Sequence, residues 1–164
     1  MRWHIVDDMT DIQFRGATRA DLAAIVALLA DDPFGAVREE TGPELAACYI
    51  AGFEAIARDP NQLLAVAELD GQVIGTMQLT FLPGIALRGA WRGQIEGVRV
   101  AATQRSQGVG AAFIAWAVAQ FRARGCSIVQ LTTNKARRDA HRFYARLGFK
   151  PSHEGFKLTL DPAT

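Results

Sequence analysis

Residues 105–110 read Arg105-Ser106-Gln107-Gly108-Val109-Gly110, and this turn decides how the surrounding chain folds. It separates a predicted strand at 93–101 from a long predicted helix that starts at Gly108. Residues 108–119 carry no charge, so we expect this helix to be buried on more than one side. A second buried strand is predicted at 127–132, which gives a right-handed β-α-β unit. A ligand is expected at the carboxyl ends of its two parallel strands.

The rest of the chain predicts a mixed sheet flanked by helices. Its further elements are strands at 12–17, 62–69, 72–82 and 155–160, and helices at 18–30, 43–58 and 136–147. Asp70-Gly71 is the residue pair that favours a type I′ hairpin between two of these strands. The predicted order is β-α-α-β-β-β-α-β-α-β, an α/β (α+β) fold with a mostly antiparallel central sheet.

Length and composition indicate one ordinary globular domain. The chain has 164 residues, of which 49% are hydrophobic and 21% charged, and its formal net charge is +1. Such a small charge predicts neither a nucleic-acid partner nor a membrane partner. The first residues carry Asp7 and Asp8 where a signal peptide would be apolar. We therefore expect a cytoplasmic protein, with a leader at 1–11 and a single domain at 12–164.

The cysteines and histidines do not predict a metal site, a disulfide or a catalytic thiol. Cys48 and Cys126 lie far apart and lack metal-ligand spacing, as do the three histidines. We expect no metal. Cys126 has no neighbouring base in the sequence, so it is better explained as a core residue than as a nucleophile.

The turn at 105–110 has the features of an anion-binding site. Free backbone N–H groups and the positive end of a helix dipole meet there, and Arg105 can add a charged donor. The alternative is a glycine-rich helix start that packs closely against the sheet. A P-loop is excluded because no Gly-Lys-Ser/Thr follows, and a dinucleotide fingerprint is excluded because position 113 is Phe.

Tyr144 is placed on the helix that follows the second parallel strand. A partly buried phenol is neutral at pH 7, and it can donate a proton to a leaving thiolate. Taken alone, Tyr144 is better explained as a core residue of an amphipathic helix.

Three segments in this order resemble the GNAT superfamily of acetyl-CoA-dependent N-acetyltransferases. They are the strand ending at Val98 to Val100, the Arg-x-x-Gly-x-Gly turn, and the segment from Ala140 to Phe149. The resemblance covers most of the chain beyond the leader, and it implies that the protein uses acetyl-CoA as a cosubstrate.

The resemblance also assigns residues to this cosubstrate. It implies that the turn binds the pyrophosphate, that the Val98 to Val100 backbone pairs with the pantetheine arm, and that Tyr144 protonates the CoA thiolate. Asn134 is the nearest candidate for an asparagine that contacts pantetheine, although its spacing from Tyr144 is long. Arg137 or Arg138 is a candidate for the 3′-phosphate. The resulting acetyl-CoA-binding set is Val98, Arg99, Val100, Arg105, Ser106, Gln107, Gly108, Val109, Gly110, Ala111, Asn134 and Arg138.

A base is also required, because an alkyl amine is largely protonated at pH 7 and must be neutral to attack a thioester. Glu96 is the candidate. Counting by two along the strand places it on the same face as Val98 and Val100, unless a bulge intervenes. The alternative is that Glu96 only forms a surface ion pair with Arg99 or Arg92.

Together these features predict direct acetyl transfer from acetyl-CoA to a primary amine of a small molecule. Acceptor specificity is expected from the first two helices, the loop at 31–42 and residues 81–92. The candidate lining residues there are Phe34, Tyr49, Phe53 and Trp91, with Glu39, Glu40 or Glu44 to attract a cation. The alternatives are a protein acceptor or a regulatory module that binds acyl-CoA without catalysis. A homodimer is a further prediction.

Overall fold

The computed structural model describes residues 11–32 and 35–160. The predicted leader therefore lies outside the described residues, apart from Asp11, and so does Phe34. The described residues divide into two compact units, one that ends at Gln130 and one that begins at Leu131. The single domain at 12–164 stays a prediction.

The helices and strands follow one another largely in the predicted order, with α3 as an additional short element. In chain order they are β1 Gln13–Gly16, α1 Leu22–Ala30, α2 Ala47–Arg58, β2 Gln62–Leu69, β3 Gln72–Leu82, α3 Ala86–Gly89, β4 Trp91–Val100, α4 Val109–Ala123, β5 Cys126–Leu131 and α5 Arg138–Arg146. The helix predicted from residue 43 begins only at Ala47, because the backbone of Ala46 is extended. The short α3 is a single turn in which Leu87 and Arg88 have positive φ.

One five-stranded sheet has the order β1-β2-β3-β4-β5. The first three neighbouring pairs are antiparallel. Asp70 and Gly71 both have positive φ, as the predicted type I′ turn between β2 and β3 requires.

Strand β5 runs parallel to β4. The Ser127 hydroxyl donates to the Trp91 carbonyl at 3.5 Å, and the Gln130 side chain donates to Gln94 at 2.8 Å. Both contacts join residues 36 positions apart, so residue numbers rise in the same direction along both strands. The predicted mixed, mostly antiparallel sheet is confirmed.

Helices cover both faces of the sheet. On one face, Phe113 and Phe121 of α4 are fully buried with Met77 and Leu79 of β3. Helix α4 lies so close to β4 that a Cβ atom on Gly93 would come within 2.4 Å of the Phe121 ring. On the other face, buried residues of α1 form a cluster with Val66 of β2.

The predicted last strand at 155–160 is wrong. Residues 149–160 form neither helix nor strand, and residues 150–160 are exposed. Phe156, Leu158 and Leu160 do alternate with polar residues, but a strand also needs a hydrogen-bonding neighbour. The five-stranded sheet does not include this segment.

None of the helices in the described part of the chain has the length and apolar character that a membrane crossing requires.

Candidate active site

The turn between β4 and α4 leaves backbone N–H groups available at the start of the helix. Gly108 is the N-cap of α4 with a φ of 87°, and the first bond within the helix runs from the Ala112 N–H to the Gly108 carbonyl at 3.0 Å. The N–H groups of residues 108–111 therefore precede the first N–H that donates within the helix, that of Ala112. Four such donors at the positive end of a 15-residue helix suit an anion.

The backbone of the turn is held in a particular shape. Ser106 also has a positive φ, 63°, which is uncommon for a residue other than glycine. The Gln107 side chain donates to the Thr103 carbonyl at 2.7 Å and so bridges the turn. The Gln107 side chain thus helps to hold the backbone of the turn in this conformation.

Arg105, predicted to add a charged donor at the turn, is held by residues on both sides of it. Its Nε donates to the Val100 carbonyl at 3.0 Å, and its Nη2 donates to a carboxylate oxygen of Asp31 at 3.0 Å. The guanidinium thus connects the turn to the end of β4 and to the residue that follows α1. No sequence motif marks Asp31, and it comes into contact with Arg105 only in the folded chain.

A bulge in β4 changes the predicted position of Glu96. Thr76 pairs with Arg99 and Gln78 pairs with Glu96, so the single residue Met77 faces two residues of β4. Gly97 lies in this bulge with a φ of 62°. Directly paired residues share a face of the sheet, so Glu96 lies on the face of Arg99.

The predicted common face of Glu96 and Val100 is therefore wrong. Val100 pairs with Gly75, at which a Cβ atom would meet Phe113 of α4. Val100 thus faces α4, whereas Glu96 is on the opposite face and exposed. The extra residue reverses the alternation that sequence counting assumes.

Arg99 is engaged by an acidic partner other than Glu96. Its Nη2 lies 2.9 Å from a carboxylate oxygen of Asp32, and the two side chains are only 16% and 11% exposed. Arg99 also donates from Nη1 to the Val98 carbonyl at 2.8 Å. Arg99 is thus paired with Asp32, and an ion pair of Glu96 with Arg99 or Arg92 stays a prediction.

The second unit contains the remaining predicted residues. Tyr144 is half-buried on α5, with its ring in edge-on contact with Phe143 and Phe149. The Asn134 side-chain oxygen accepts from the Ala136 N–H at 2.9 Å, which closes the turn before α5. Arg138 is the exposed first residue of that helix.

Electrostatics do not favour Cys126 as a nucleophile. Burial raises the pKa of its thiol, an effect that Arg124 only partly offsets. A raised pKa reduces the thiolate fraction at neutral pH.

Some of the residues predicted to line the acceptor site lie in the hydrophobic core or are engaged with one another. Phe53 packs against the buried cluster of α1 and Val66. The Tyr49 hydroxyl accepts from the Glu40 N–H at 2.8 Å and donates to the Glu39 carboxylate at 3.1 Å. Glu39 is thus committed to Tyr49, whereas Glu40 and Glu44 have exposed side chains.

Comparisons with known proteins agree on one family. A family model described as the acetyltransferase (GNAT) family matches residues 22–149. Aminoalkylphosphonate N-acetyltransferase of Salmonella typhimurium is 32% identical over 154 residues, which cover 94% of this chain and 95% of that protein.

Solved structures give the same fold. A crystal structure of a transcriptional regulator from Bacillus halodurans C-125 is 43% identical with a TM-score of 0.88, covering 91% of this chain and 99% of that one. AAC(6′)-Iy in complex with the bisubstrate analog CoA-S-monomethyl-acetylneamine is 16% identical with a TM-score of 0.72, covering 92% of this chain and 99% of that one. The second likeness shows the fold alone.

Proposed function

The chain belongs to the acetyltransferase (GNAT) family and is an N-acetyltransferase, and from this premise we propose its acceptor and its site residues. The acceptor class is a small primary amine that carries a phosphonate group. The Salmonella typhimurium relative, named for acetylation of aminoalkylphosphonates, supports this class because it aligns with nearly the whole chain.

The observation that carries the proposed cosubstrate site is the set of N–H groups at residues 108–111, ahead of the first bond within α4. They fit the pyrophosphate of acetyl-CoA, which is anionic and accepts hydrogen bonds. The turn lies after the carboxyl end of β4, which runs parallel to β5, the position at which α/β sheets bind ligands. The remaining proposed contacts are the backbone of Val98, Arg99 and Val100, with Asn134 and Arg138.

Two residues of this chain are proposed to move protons during transfer. Glu96 takes the proton that the amine loses as its nitrogen bonds to the acetyl carbon, either directly or through water. Tyr144 gives a proton to the CoA sulfur as the carbon–sulfur bond breaks. Backbone N–H groups of Val98 to Val100 are proposed to stabilise the oxyanion.

The first test is calorimetric titration of acetyl-CoA into the wild type and Gly108→Asp. Asn is the matched control at the same position, because it has the same size as Asp, tolerates a positive φ and lacks the charge. We expect the Asp variant to bind at least about tenfold more weakly than the Asn variant, because its carboxylate repels the pyrophosphate. Equal binding by the two variants would remove the turn as the phosphate site.

The acceptor is tested by CoA release with 2-aminoethylphosphonate, with ethanolamine as a control that lacks the phosphonate. We expect a clear preference for the phosphonate in kcat/KM. Equal values for the two amines would contradict the proposed acceptor class without affecting the acetyl-CoA site.

The proton-transfer roles have separate tests. Tyr144→Phe is expected to lower kcat about 100-fold with acetyl-CoA binding retained. Glu96→Gln is expected to abolish the acidic limb of the pH profile of kcat/KM. An unchanged kcat in the first variant, or a retained limb in the second, would exclude the corresponding role.

A second candidate is a regulatory module that binds acyl-CoA without transfer. The Bacillus halodurans structure favours it, since that protein is called a transcriptional regulator. Tight acetyl-CoA binding without CoA release for any amine would support this alternative. The cytoplasmic location, the homodimer and the absence of metal, nucleic-acid and membrane partners stay predictions from sequence.

A further inference from the structure

Two adjacent acidic residues after α1 contact the two arginines that flank the end of β4. Asp31 binds Arg105 through a carboxylate oxygen at 3.0 Å and through its carbonyl at 3.3 Å. Asp32 binds Arg99 at 2.9 Å. Neither aspartate is among the residues that sequence motifs assign to acetyl-CoA.

The contacts of Arg105 fix one side of its guanidinium. Nε is directed to the Val100 carbonyl and Nη2 to Asp31. These hydrogen bonds do not involve Nη1, the other terminal nitrogen of the guanidinium. A guanidinium is planar, so fixing Nε and Nη2 also fixes the direction of Nη1.

Asp31 is itself held in place by its neighbour. The Asp32 carboxylate accepts from the Gly35 N–H at 3.1 Å while it pairs with the largely buried Arg99. A Cβ atom on Gly35 would lie 1.9 Å from the Leu29 carbonyl oxygen, so the chain returns very close to the end of α1. The carboxylate of Asp31 thus extends from a well-anchored segment.

We propose that Asp31 is a positioning residue for acetyl-CoA, which holds the Arg105 guanidinium so that Nη1 is ready to bind a phosphate oxygen at the turn. The inference rests on the proposed phosphate site. A free arginine side chain loses considerable rotamer entropy when it binds. Because Asp31 orders Arg105 beforehand, less of that entropy is lost when acetyl-CoA binds.

The experiment is a double-mutant cycle on the affinity for acetyl-CoA, measured by calorimetry. It uses the wild type, Asp31→Asn, Arg105→Lys and the double variant. We expect Asp31→Asn to raise Kd about fivefold, and to have less than about a twofold effect when Arg105 is already replaced by lysine, because lysine lacks the fork. Asp31→Glu should restore part of the affinity.

Asp70→Asn is the matched control, because it removes the same charge at an exposed hairpin turn whose positive φ also suits Asn. Its Kd should equal that of the wild type. Thermal unfolding confirms that each variant is folded, which is expected because the Asp31 and Arg105 side chains are about half exposed.

Each outcome separates this inference from the proposed function. If the wild type fails to bind acetyl-CoA, the proposed function fails. If the wild type binds and Asp31→Asn has the same Kd, or has equal effects in the wild-type and Arg105→Lys backgrounds, only the positioning role is overturned. Tighter binding by Asp31→Asn would also overturn it, since Asp31 would then compete with phosphate for Arg105.

Discussion

The two faces of strands β3 and β4 carry different kinds of side chain. On the α4 face, Met77, Leu79 and Ile95 are fully buried and apolar. On the opposite face the same strands carry polar groups, which are Thr76, Gln78, Thr80, Gln94, Glu96 and Arg99. Gln78 and Thr80 both donate to the side-chain oxygen of Gln62, at 3.0 and 2.8 Å.

The difference separates an apolar, closely packed face from a polar, hydrogen-bonded face within one sheet. The α4 face excludes water and holds β4 by close packing. On the opposite face Gln78, Thr80 and Gln94 form side-chain hydrogen bonds, and the bulge at Gly97 places Arg99 there as well. Substitutions on the first face should therefore change unfolding free energy, and those on the second should change binding, pH dependence or smaller amounts of stability.

The largest expected effect is on the α4 face, at Gly93. In Gly93→Ala the new methyl carbon would lie 2.4–2.6 Å from three atoms of the fully buried Phe121 ring. One of these atoms is Cγ, which is bonded to Cβ and cannot be moved away by a ring rotation. We therefore expect a loss of about 3 kcal/mol in unfolding free energy. Urea denaturation measures it.

Gly52→Ala is the control for this substitution. Gly52 lies in α2, and a Cβ atom added there would meet nothing within 4 Å, so alanine should stabilise by about 0.5–1 kcal/mol. A Gly93→Ala variant as stable as the wild type would show that α4 can move away from β4, which contradicts close packing on this face.

On the polar face, Asp32→Asn should cost about 2 kcal/mol, because it removes a carboxylate charge that pairs with the largely buried Arg99 guanidinium. Asn keeps the volume and an acceptor for the Gly35 N–H. Asp31→Asn is the comparison, since its pair with Arg105 is about half exposed and should be worth less than about 1 kcal/mol.

Chemical denaturation of both variants tests whether Asp32→Asn loses more unfolding free energy than Asp31→Asn. Equal losses of unfolding free energy would mean that the Asp32–Arg99 pair is as solvated as the Asp31–Arg105 pair, so that its burial does not strengthen it.

Features set by nearby residues could be predicted from the sequence. The β2–β3 hairpin has the predicted strand limits, because alternation and the Asp70-Gly71 turn act within a few residues. The start of α4 could also be predicted, since its glycines and its uncharged run adjoin the turn.

Features that depend on contacts between residues far apart in the sequence could not be predicted from it. The bulge at Gly97 shows only in the pairing with β3, and it reverses the face of Glu96. Asp31 is 74 positions from Arg105, and no local pattern connects them. The alternation at 155–160 was misleading because alternation describes a half-buried strand but does not supply its neighbour.

Asp21 offers a pH-dependent test on the α1 side of the sheet. Hydrogen bonds from Arg15, at 2.7 and 2.9 Å, lower the pKa of the Asp21 carboxyl well below its usual range, assisted by the N–H and hydroxyl of Thr18. A lowered folded-state pKa gives stability that is present above the unfolded pKa, about 4, and lost as pH falls below it.

Asp21→Asn should therefore cost about 1.5 kcal/mol at pH 7, and the difference from the wild type should shrink as pH falls below about 4. Denaturation curves at several pH values measure this difference. A gap that stays constant down to the most acidic pH would mean that the carboxylate charge is not the source of the stability.

The smallest effect is expected at Thr76, the one fully buried polar residue on the β3–β4 polar face within the described residues. Its hydroxyl donates to the Ala65 carbonyl at 3.1 Å, and that carbonyl has two lone pairs and also lies in the β2–β3 ladder. Thr76→Val keeps the shape and removes one bond, so unfolding free energy should fall by less than about 1 kcal/mol. A loss as large as that of Gly93→Ala would mean that the polar face depends on buried hydrogen bonds as strongly as the α4 face depends on packing, which would remove the division between them.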